Sequence, residues 1–263
     1  MDSGALLRIV LAFAVAGTWI SLSTIAGERL GTRLGGLIAN LPSNILVSLL
    51  FIAMTKGDSY AAQAALSVPV GMTVDTLFLL ALVAALGRGL LAGLAAGLGA
   101  WIAAALIFLA LPPLGAVWGI ALYAIVCAGS FLAADRIPGA RSVPKKAVPF
   151  RPSSVLVRAL FAGTIVALAV AIAQVAPPYM TGVLAVFPAV LLSTMTILAR
   201  AQGLPFARAT GKVLILSSSN IIVYALAVAL LFPILGPWWG TLGAFAAAAL
   251  YVALLAPVVR KVK

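Results

Sequence analysis

The sequence lacks most of the side chains on which enzymes depend. Its 263 residues include no histidine, one cysteine and five acidic residues. That set is too small for a zinc site, a haem or an iron–sulfur cluster, and a Ser-His-Asp triad is impossible without histidine. Cys127 stands alone in an apolar run, so neither a disulfide framework nor a redox pair is expected. The composition therefore predicts a protein that is not an enzyme and that holds neither a metal nor another cofactor.

Charge is equally scarce, and hydrophobic residues take its place. Charged residues make up 8% of the chain and hydrophobic residues 64%, with a mean hydropathy of +1.23. No water-soluble fold is built from such a composition. We predict an all-α, polytopic integral membrane protein. At about 20 residues per crossing, the length suffices for roughly eight to ten helices and leaves no room for a soluble domain.

Apolar stretches bounded by charges or by Pro and Gly turns predict nine transmembrane helices. Their limits are 6–26, 33–55, 64–86, 89–111, 114–133, 155–176, 180–200, 209–231 and 237–257.

The basic residues predict how these helices are oriented. With nine spans, fifteen of the seventeen Lys and Arg residues fall on one side of the membrane, and Arg8 and Lys56 fall on the other. The positive-inside rule then places the N-terminus outside and the C-terminus in the cytoplasm, in the cytoplasmic (inner) membrane. Because these residues border the spans, the net charge of +12 indicates topology and not a nucleic-acid partner. The basic linker 134–153 is expected to touch anionic membrane lipids.

The two halves of the chain repeat. A shift of 146 residues superimposes Gly36 on Gly182, Pro42 on Pro188 and Gly57 on Gly203. Apolar composition explains chance matches of Ala and Leu, but it does not explain Gly, Pro and Gly in register. We therefore divide the chain into a first four-helix repeat (1–111), a spacer helix with a basic linker (112–154) and a second four-helix repeat (155–263).

Five crossings precede the second copy, so the two copies are predicted to run through the membrane in opposite directions. Such inverted-topology repeats are typical of secondary transporters, although channels and scaffolds also use them.

The second half resembles the GlpM-like family of small four-span proteins of the bacterial inner membrane. The resemblance lies in YMTGVLAVFPAVLLSTMTILARAQG, residues 179–203, followed by FARATGK. The characteristic positions are Tyr179, Gly182, Phe187 and Pro188, and the first half departs from them with Leu41 in the place of Phe187. The resemblance implies two fused four-span units, and the family has a reported link to alginate production. It implies nothing specific about a substrate.

Asp75 is the residue that we expect to carry ions or protons. It falls at the centre of the third predicted span, whereas the other four acids lie at ends or in loops. No Lys or Arg is predicted at that depth, so the carboxyl should either be protonated or bind a cation. The alternative is a purely structural role, as a hydrogen-bond partner between helices.

Other polar residues and helix-breaking residues recur at helical spacing near the same depth. The predicted substrate-binding residues are Asn40, Asn44, Ser48, Thr196, Ser217 and Asn220. The predicted helix breaks lining a cavity are Gly36, Pro42, Pro69, Gly182 and Pro188. For the amides, a role in holding helices together is an equally good interpretation.

Glycines spaced by four residues on the fourth span predict a close helix–helix contact. Gly89, Gly93 and Gly97 could form it within one protomer or across a homodimer.

Together these patterns predict a protein that resembles a secondary transporter. It would move an unidentified small solute or a lipid-linked precursor by rocking one repeat against the other, coupled to protons or cations through Asp75. The alternatives are a non-transporting scaffold or assembly partner for envelope-polysaccharide machinery, and a channel.

Overall fold

The computed structural model of the protein describes residues 3–29, 42–137 and 152–259, and within these ranges it is helical without any strand. The helices are α1 (Ser3–Arg29), α2 (Ser43–Lys56), α3 (Asp58–Ala85), α4 (Leu90–Ala110), α5 (Ala116–Asp135), α6 (Pro152–Ala173), α7 (Pro178–Ala185), α8 (Ala189–Gln202), α9 (Leu204–Ser217) and α10 (Asn220–Val259). A 3₁₀ turn, Leu86–Arg88, joins α3 to α4. The helical path of α10 is interrupted at Gly236.

Six segments of the described chain are long and apolar enough to cross a membrane. They are Asp58–Arg88, Leu90–Ala110, Ala116–Asp135, Pro152–Ala173, Pro178–Gln202 and Leu204–Leu255. Leu91, Val117 and Ile234 are between 76% and 82% exposed on the bundle surface, as expected where a helix faces lipid. The prediction of an all-helical, multi-pass membrane protein is thus confirmed at this level.

The predicted spans correspond only partly to single helices. Leu204–Leu255 covers the eighth and ninth predicted spans together, and the second predicted span is described only from residue 42. A methyl group added at Gly240 would lie 2.6 Å from the ring of Phe232. In a straight helix these residues would be about 12 Å apart along the axis. The chain therefore reverses at Gly236, close to the predicted boundary at 231–237.

Two connections that the sequence predicts as loops of several residues are single glycines. Gly57 alone separates α2 from α3, and Gly203 alone separates α8 from α9. Their φ angles are 91° and 96°, in the left-handed region that glycine adopts without a steric penalty. Helix α3 consequently begins at Asp58 and not near residue 64, and α9 begins at Leu204 and not near residue 209.

The local geometry recurs at the shift of 146 residues. Helices α2 and α8 both have 14 residues, and their first and last residues differ in number by 146. Each helix follows a proline with φ −77°, Pro42 or Pro188, and each ends at a glycine with ψ near 163°. Gly89 and Gly236, 147 residues apart, are the other two glycines with positive φ in the described ranges.

Helices α1 and α6 are joined by a reciprocal contact. A methyl group added at Gly17 would lie 3.3 Å from the carbonyl oxygen of Ala159, and one added at Gly163 would lie 2.8 Å from that of Phe13. Gly163 follows Gly17 by 146 residues, and Ala159 follows Phe13 by the same number. From Phe13 to Gly17 the residue number rises along α1, while the residue contacted on α6 changes from Gly163 to Ala159. The two helices are therefore antiparallel, and equivalent positions exchange contacts.

Helix α3 is the centre of the bundle. It packs against α4, α5, α7 and α10, and Val68, Met72 and Phe78 along its length are fully buried. The closest approach is made by α7, because a methyl group added at Gly182 would overlap the carbonyl oxygen of Ala64. Two helices can approach this closely only because glycine at residue 182 has no side chain.

Side chains tie the connections together at the two ends of the bundle. At one end, Tyr60 donates a hydrogen bond of 2.6 Å to Ala176 O, and Tyr179 donates one of 3.4 Å to Phe108 O. At the other end, Arg208 donates to Val83 O at 3.1 Å, and Lys212 forms a salt bridge with Asp135. The ends of α4 and α6 therefore meet beside the start of α3, and the ends of α3 and α5 meet beside the start of α9.

We predict that Gly182→Ala destabilises the protein while Gly99→Ala does not. The added methyl group at residue 182 has no space beside Ala64, and overpacking of this kind typically costs about 1–3 kcal/mol. Gly99 is a matched helical control with nothing within 4 Å of the added carbon, so alanine should be neutral or stabilise by up to ~1 kcal/mol. Thermal unfolding in detergent measures both variants, and equal midpoints would contradict the contact.

Candidate functional site

Asp75 lies in the middle of α3 and is 3% exposed. The indole N–H of Trp101 on α4 donates a hydrogen bond of 2.9 Å to its Oδ1 atom. No described residue forms a salt bridge with Asp75, and in the described ranges no three Cys, Asp or Glu side chains cluster closely enough to hold a metal. The chemistry available at this point is therefore that of a single buried carboxyl with one neutral hydrogen-bond donor.

Glycines on α4 set the register that brings Trp101 to Asp75. A methyl group added at Gly93 would lie 2.6 Å from Leu86, and one added at Gly97 would lie 3.0 Å from the ring of Phe78. Residues four apart share a helix face, so Trp101 continues the line of Gly93 and Gly97 toward α3. The glycine contact predicted for the fourth span thus lies within the protomer at Gly93 and Gly97.

A helix interruption lies directly beside Trp101. The ring of Trp101 meets the ring of Phe187 edge to face, with centroids 4.8 Å apart and an interplanar angle of 73°. Phe187 lies between the end of α7 at Ala185 and the start of α8 at Ala189. The structure therefore brings Asp75 and the predicted break at Pro188 into one neighbourhood, with Trp101 and Phe187 between them.

The backbone at this interruption lacks the regular helical hydrogen bonds. Phe187 N–H donates to Leu184 O at 3.1 Å, and Ala189 N–H donates to Phe187 O at 2.7 Å. Pro188 has no N–H to donate. A methyl group added at Gly71 of α3 would lie 2.9 Å from Val183 O, so the interruption is pressed against the middle of α3.

A second interruption separates α9 from α10, where the sequence predicts one continuous span over 209–231. Ser219 Oγ donates to Leu216 O and bonds to the hydroxyl of Tyr251, both at 2.8 Å. Cys127 Sγ on α5 donates to Ile215 O at 3.3 Å. Serine hydroxyls compete with the helical ladder for carbonyl groups, which accounts for a break where hydrophobicity alone predicts a helix.

The predicted substrate-binding residues fall into different environments. Three of these residues have a buried oxygen without a hydrogen-bond partner in the described part of the chain, namely Ser48 Oγ, Ser217 Oγ and Asn44 Oδ1. Thr196 Oγ1 instead donates to Leu192 O within its own helix. Asn220 is 2% exposed at the start of α10. Asn40, like Gly36, lies outside the described residues.

Two predicted helix breaks differ from the structure. Pro69 is buried inside the uninterrupted helix α3, and Pro69 O accepts a hydrogen bond of 3.0 Å from Thr73 Oγ1. Gly182 lies inside α7 and permits its approach to α3. Pro42 immediately precedes α2, and the residues before it are not described.

Sequence reasoning missed Trp101 and Phe187 as parts of this site. The signal for Trp101 was present, because it extends the Gly89, Gly93 and Gly97 series by one more step of four. The position of the turn is a second signal for Trp101. If α3 and α4 form a hairpin that turns at residues 87–88, residue 101 lies opposite residue 75. No comparable pattern indicates that Phe187 faces Trp101.

Comparison with known proteins gives one finding. A family model described as "Protein of unknown function (DUF3147)" matches residues 9–112, which run from the first predicted span to the end of the fourth. No curated protein and no solved structure matches the chain.

We predict that Ser48→Ala and Ser217→Ala leave stability unchanged or raise it. Neither hydroxyl has a hydrogen-bond partner among the described residues, so alanine is expected to remove only the cost of burying a polar atom. Ser67→Ala is the matched control and should cost about 1 kcal/mol, because the single hydroxyl proton of Ser67 is shared between Ala64 O at 2.7 Å and Tyr179 O at 3.0 Å. If thermal unfolding shows losses at residues 48 and 217 as large as that at residue 67, both hydroxyls have structural partners.

Proposed function

We propose that the protein is a secondary-transporter-like protein of the cytoplasmic membrane, which moves an unidentified small solute or lipid-linked precursor coupled to protons or cations. One observation carries this proposal. Asp75 is a buried carboxyl without a salt-bridge partner in the described chain, and Trp101, which donates a hydrogen bond to it, contacts Phe187 at the interrupted helix. Ionisable groups at membrane depth are costly and mark ion pathways, and discontinuous helices are typical of transporter sites.

The architecture that we propose is nine helices in two inverted four-helix repeats with a spacer helix. The antiparallel, reciprocal contact between α1 and α6 supports it, because an in-plane two-fold axis relates the copies of an inverted repeat in this way. The matched bounds of α2 and α8 support the same duplication. The resemblance of residues 179–203 to GlpM-like proteins supports a four-span unit in each half.

The proposed orientation has the N-terminus outside and the C-terminus in the cytoplasm. The distribution of Lys and Arg is its basis. The two ends of the bundle agree with it, since Tyr60 and Ala176 meet at the end assigned outside, and Arg208 and Val83 meet at the end assigned to the cytoplasm.

In this proposal each polar group has a separate task. Asp75 takes up and releases the coupling ion, while Asn40, Asn44, Ser48, Ser217 and Asn220 bind a polar group of the solute. The unpartnered oxygens of Asn44, Ser48 and Ser217 support this assignment, because buried acceptors are normally satisfied by protein, water or ligand. Rocking of one repeat against the other would expose the site to each side in turn.

The second candidate is a non-transporting scaffold for envelope-polysaccharide machinery. The packing around Asp75 favours it, because the carboxyl is 3% exposed and already hydrogen-bonded to Trp101. The remaining alternative, a channel, is distinguished from a transporter and from a scaffold by measuring the ion conductance of single protein molecules.

Coupled flux tests the role of Asp75. In vesicles loaded with a pH-sensitive dye and challenged with pools of small solutes, the protein should move protons in response to at least one pool. Asp75→Asn should abolish that response, because an amide neither binds nor releases a proton near neutral pH. Asp58→Asn, at the exposed start of α3, is the matched control and should retain it. Undiminished proton movement with Asp75→Asn would remove Asp75 from the mechanism.

Thiol accessibility separates a transporter from a scaffold. In a Cys127→Ala background, we expect Asn44→Cys, Asp75→Cys and Asn220→Cys to react with a small charged thiol reagent, because a transport site is reached by water. Ser59→Cys, which is exposed beside a turn, is the positive control, and the lipid-facing Gly99→Cys is the negative control. If all three site cysteines are as inert as the cysteine at residue 99, the dry interior of a scaffold is the correct account.

A further inference from the structure

The two helices that flank Phe187 are held by different partners. Helix α7 is fixed to α3 through the contact of Gly182 with Ala64 and through the hydrogen bond of Ser67 Oγ to Tyr179 O. Helix α8 packs against α9, where a methyl group added at Gly211 would lie 2.9 Å from Met195 Cε. Residues 186–188 therefore connect an element bound to the first half with an element that belongs to the second half.

The connection itself is weakly tied. Its N–H groups donate across only two or three residues, from Phe187 N–H to Leu184 O and from Ala189 N–H to Phe187 O, and the regular four-residue spacing resumes where Leu192 N–H donates to Pro188 O. Pro188 contributes no donor. Sharp changes of helix direction occur at such positions, so a change of angle between α7 and α8 meets least resistance here.

Trp101 touches both this connection and Asp75. Its indole N–H bonds to Asp75 Oδ1 at 2.9 Å, and its ring meets that of Phe187 at 4.8 Å. Trp101 and Asp75 are 7% and 3% exposed, so water does not readily replace either contact. The buried Tyr123 on α5 is a titratable neighbour of Asp75. Tryptophan offers a single N–H donor, and Asp75 Oδ1 occupies it.

We propose that Trp101 is a positioning residue that links the charge of Asp75 to the angle between α7 and α8. An ionised carboxylate accepts a hydrogen bond roughly twice as strong as a neutral acceptor does. Uptake of a proton from water by Asp75 therefore loosens its hold on the indole. The edge-to-face contact passes the resulting shift of the ring to Phe187, and thereby to the connection. This inference rests on the proposed function, which assigns the coupling ion to Asp75.

Spin-label distances test the link without knowledge of the substrate. One label is placed at Ser59→Cys, at the start of α3, and the other at Ala201→Cys, at the end of α8, in a Cys127→Ala background. Both positions are exposed, and α7 moves with α3. In lipid vesicles titrated from acid to alkaline pH, we expect a shift of the 59–201 distance that Asp75→Asn abolishes.

Trp101→Phe should abolish the same shift, because it keeps a ring against Phe187 and removes the N–H donor. Phe187→Leu should also abolish the shift, because it removes the edge-to-face contact and leaves the hydrogen bond between Trp101 and Asp75 intact. This variant replaces Trp101→Phe as the test if Trp101→Phe does not fold. Trp118→Phe, at an exposed tryptophan, is the control and should keep the full shift.

Two results would overturn the inference: a full pH-dependent shift in both Trp101→Phe and Phe187→Leu, or no shift in the unmodified protein. Its failure is separable from that of the proposed function. If Asp75→Asn abolishes coupled flux while Trp101→Phe and Phe187→Leu both keep flux and the distance shift, the transport proposal stands and the link through Trp101 falls. If Asp75→Asn leaves flux intact, the assignment of Asp75 falls whatever the distances show.

Discussion

The close antiparallel contact between α1 and α6 is the constraint on which the rest of this account depends. Within a bilayer, apolar surface gains nothing by leaving lipid, so helices associate through packing and depend on small residues where their backbones meet. Gly17 and Gly163 are such residues, and each faces a carbonyl oxygen of the other helix. Since equivalent positions make the same contact twice, it supports the proposal that an approximate two-fold rotation relates the two halves. In that proposal α2 and α8 run in opposite directions.

The buried carboxyl is the second constraint, and its surroundings stabilise it without neutralising it. A charged aspartate at mid-membrane costs about 2.5–3.5 kcal/mol on insertion scales. A hydrogen bond to a charged group returns about 1.5–3 kcal/mol, which the Trp101 N–H supplies in this site. The hydrogen bond therefore offsets part of the cost of an ionised Asp75. Trp101, which supplies that bond, also contacts Phe187 at the interrupted helix, and this shared contact is the basis of the proposed link.

Much of the fold could be predicted from the sequence, because hydrophobic length and charge placement follow directly from the membrane. The duplication and the depth of Asp75 stay predictions, which the matched bounds of α2 and α8 and the burial of Asp75 support. The single-glycine turns at Gly57 and Gly203 could not be predicted, because Asp58 and Ser59 after the first and Pro205 and Arg208 after the second indicate a loop and yet belong to a helix. Whether Pro69 and Pro188 interrupt a helix could not be predicted from the sequence either. One is buried inside an uninterrupted helix, and the other lies where α7 and α8 follow different partners, so the outcome depends on packing and not on proline itself.

The central claim, two copies threaded oppositely through the membrane, is tested most directly by the sidedness of two equivalent turns. Ser59→Cys and Ala201→Cys lie on exposed positions next to Gly57 and Gly203, each in a Cys127→Ala background. With a membrane-impermeant maleimide on intact cells, the account predicts labelling of the cysteine at residue 59, and of that at residue 201 only after the membrane is opened. Labelling of both cysteines from the same side would contradict it.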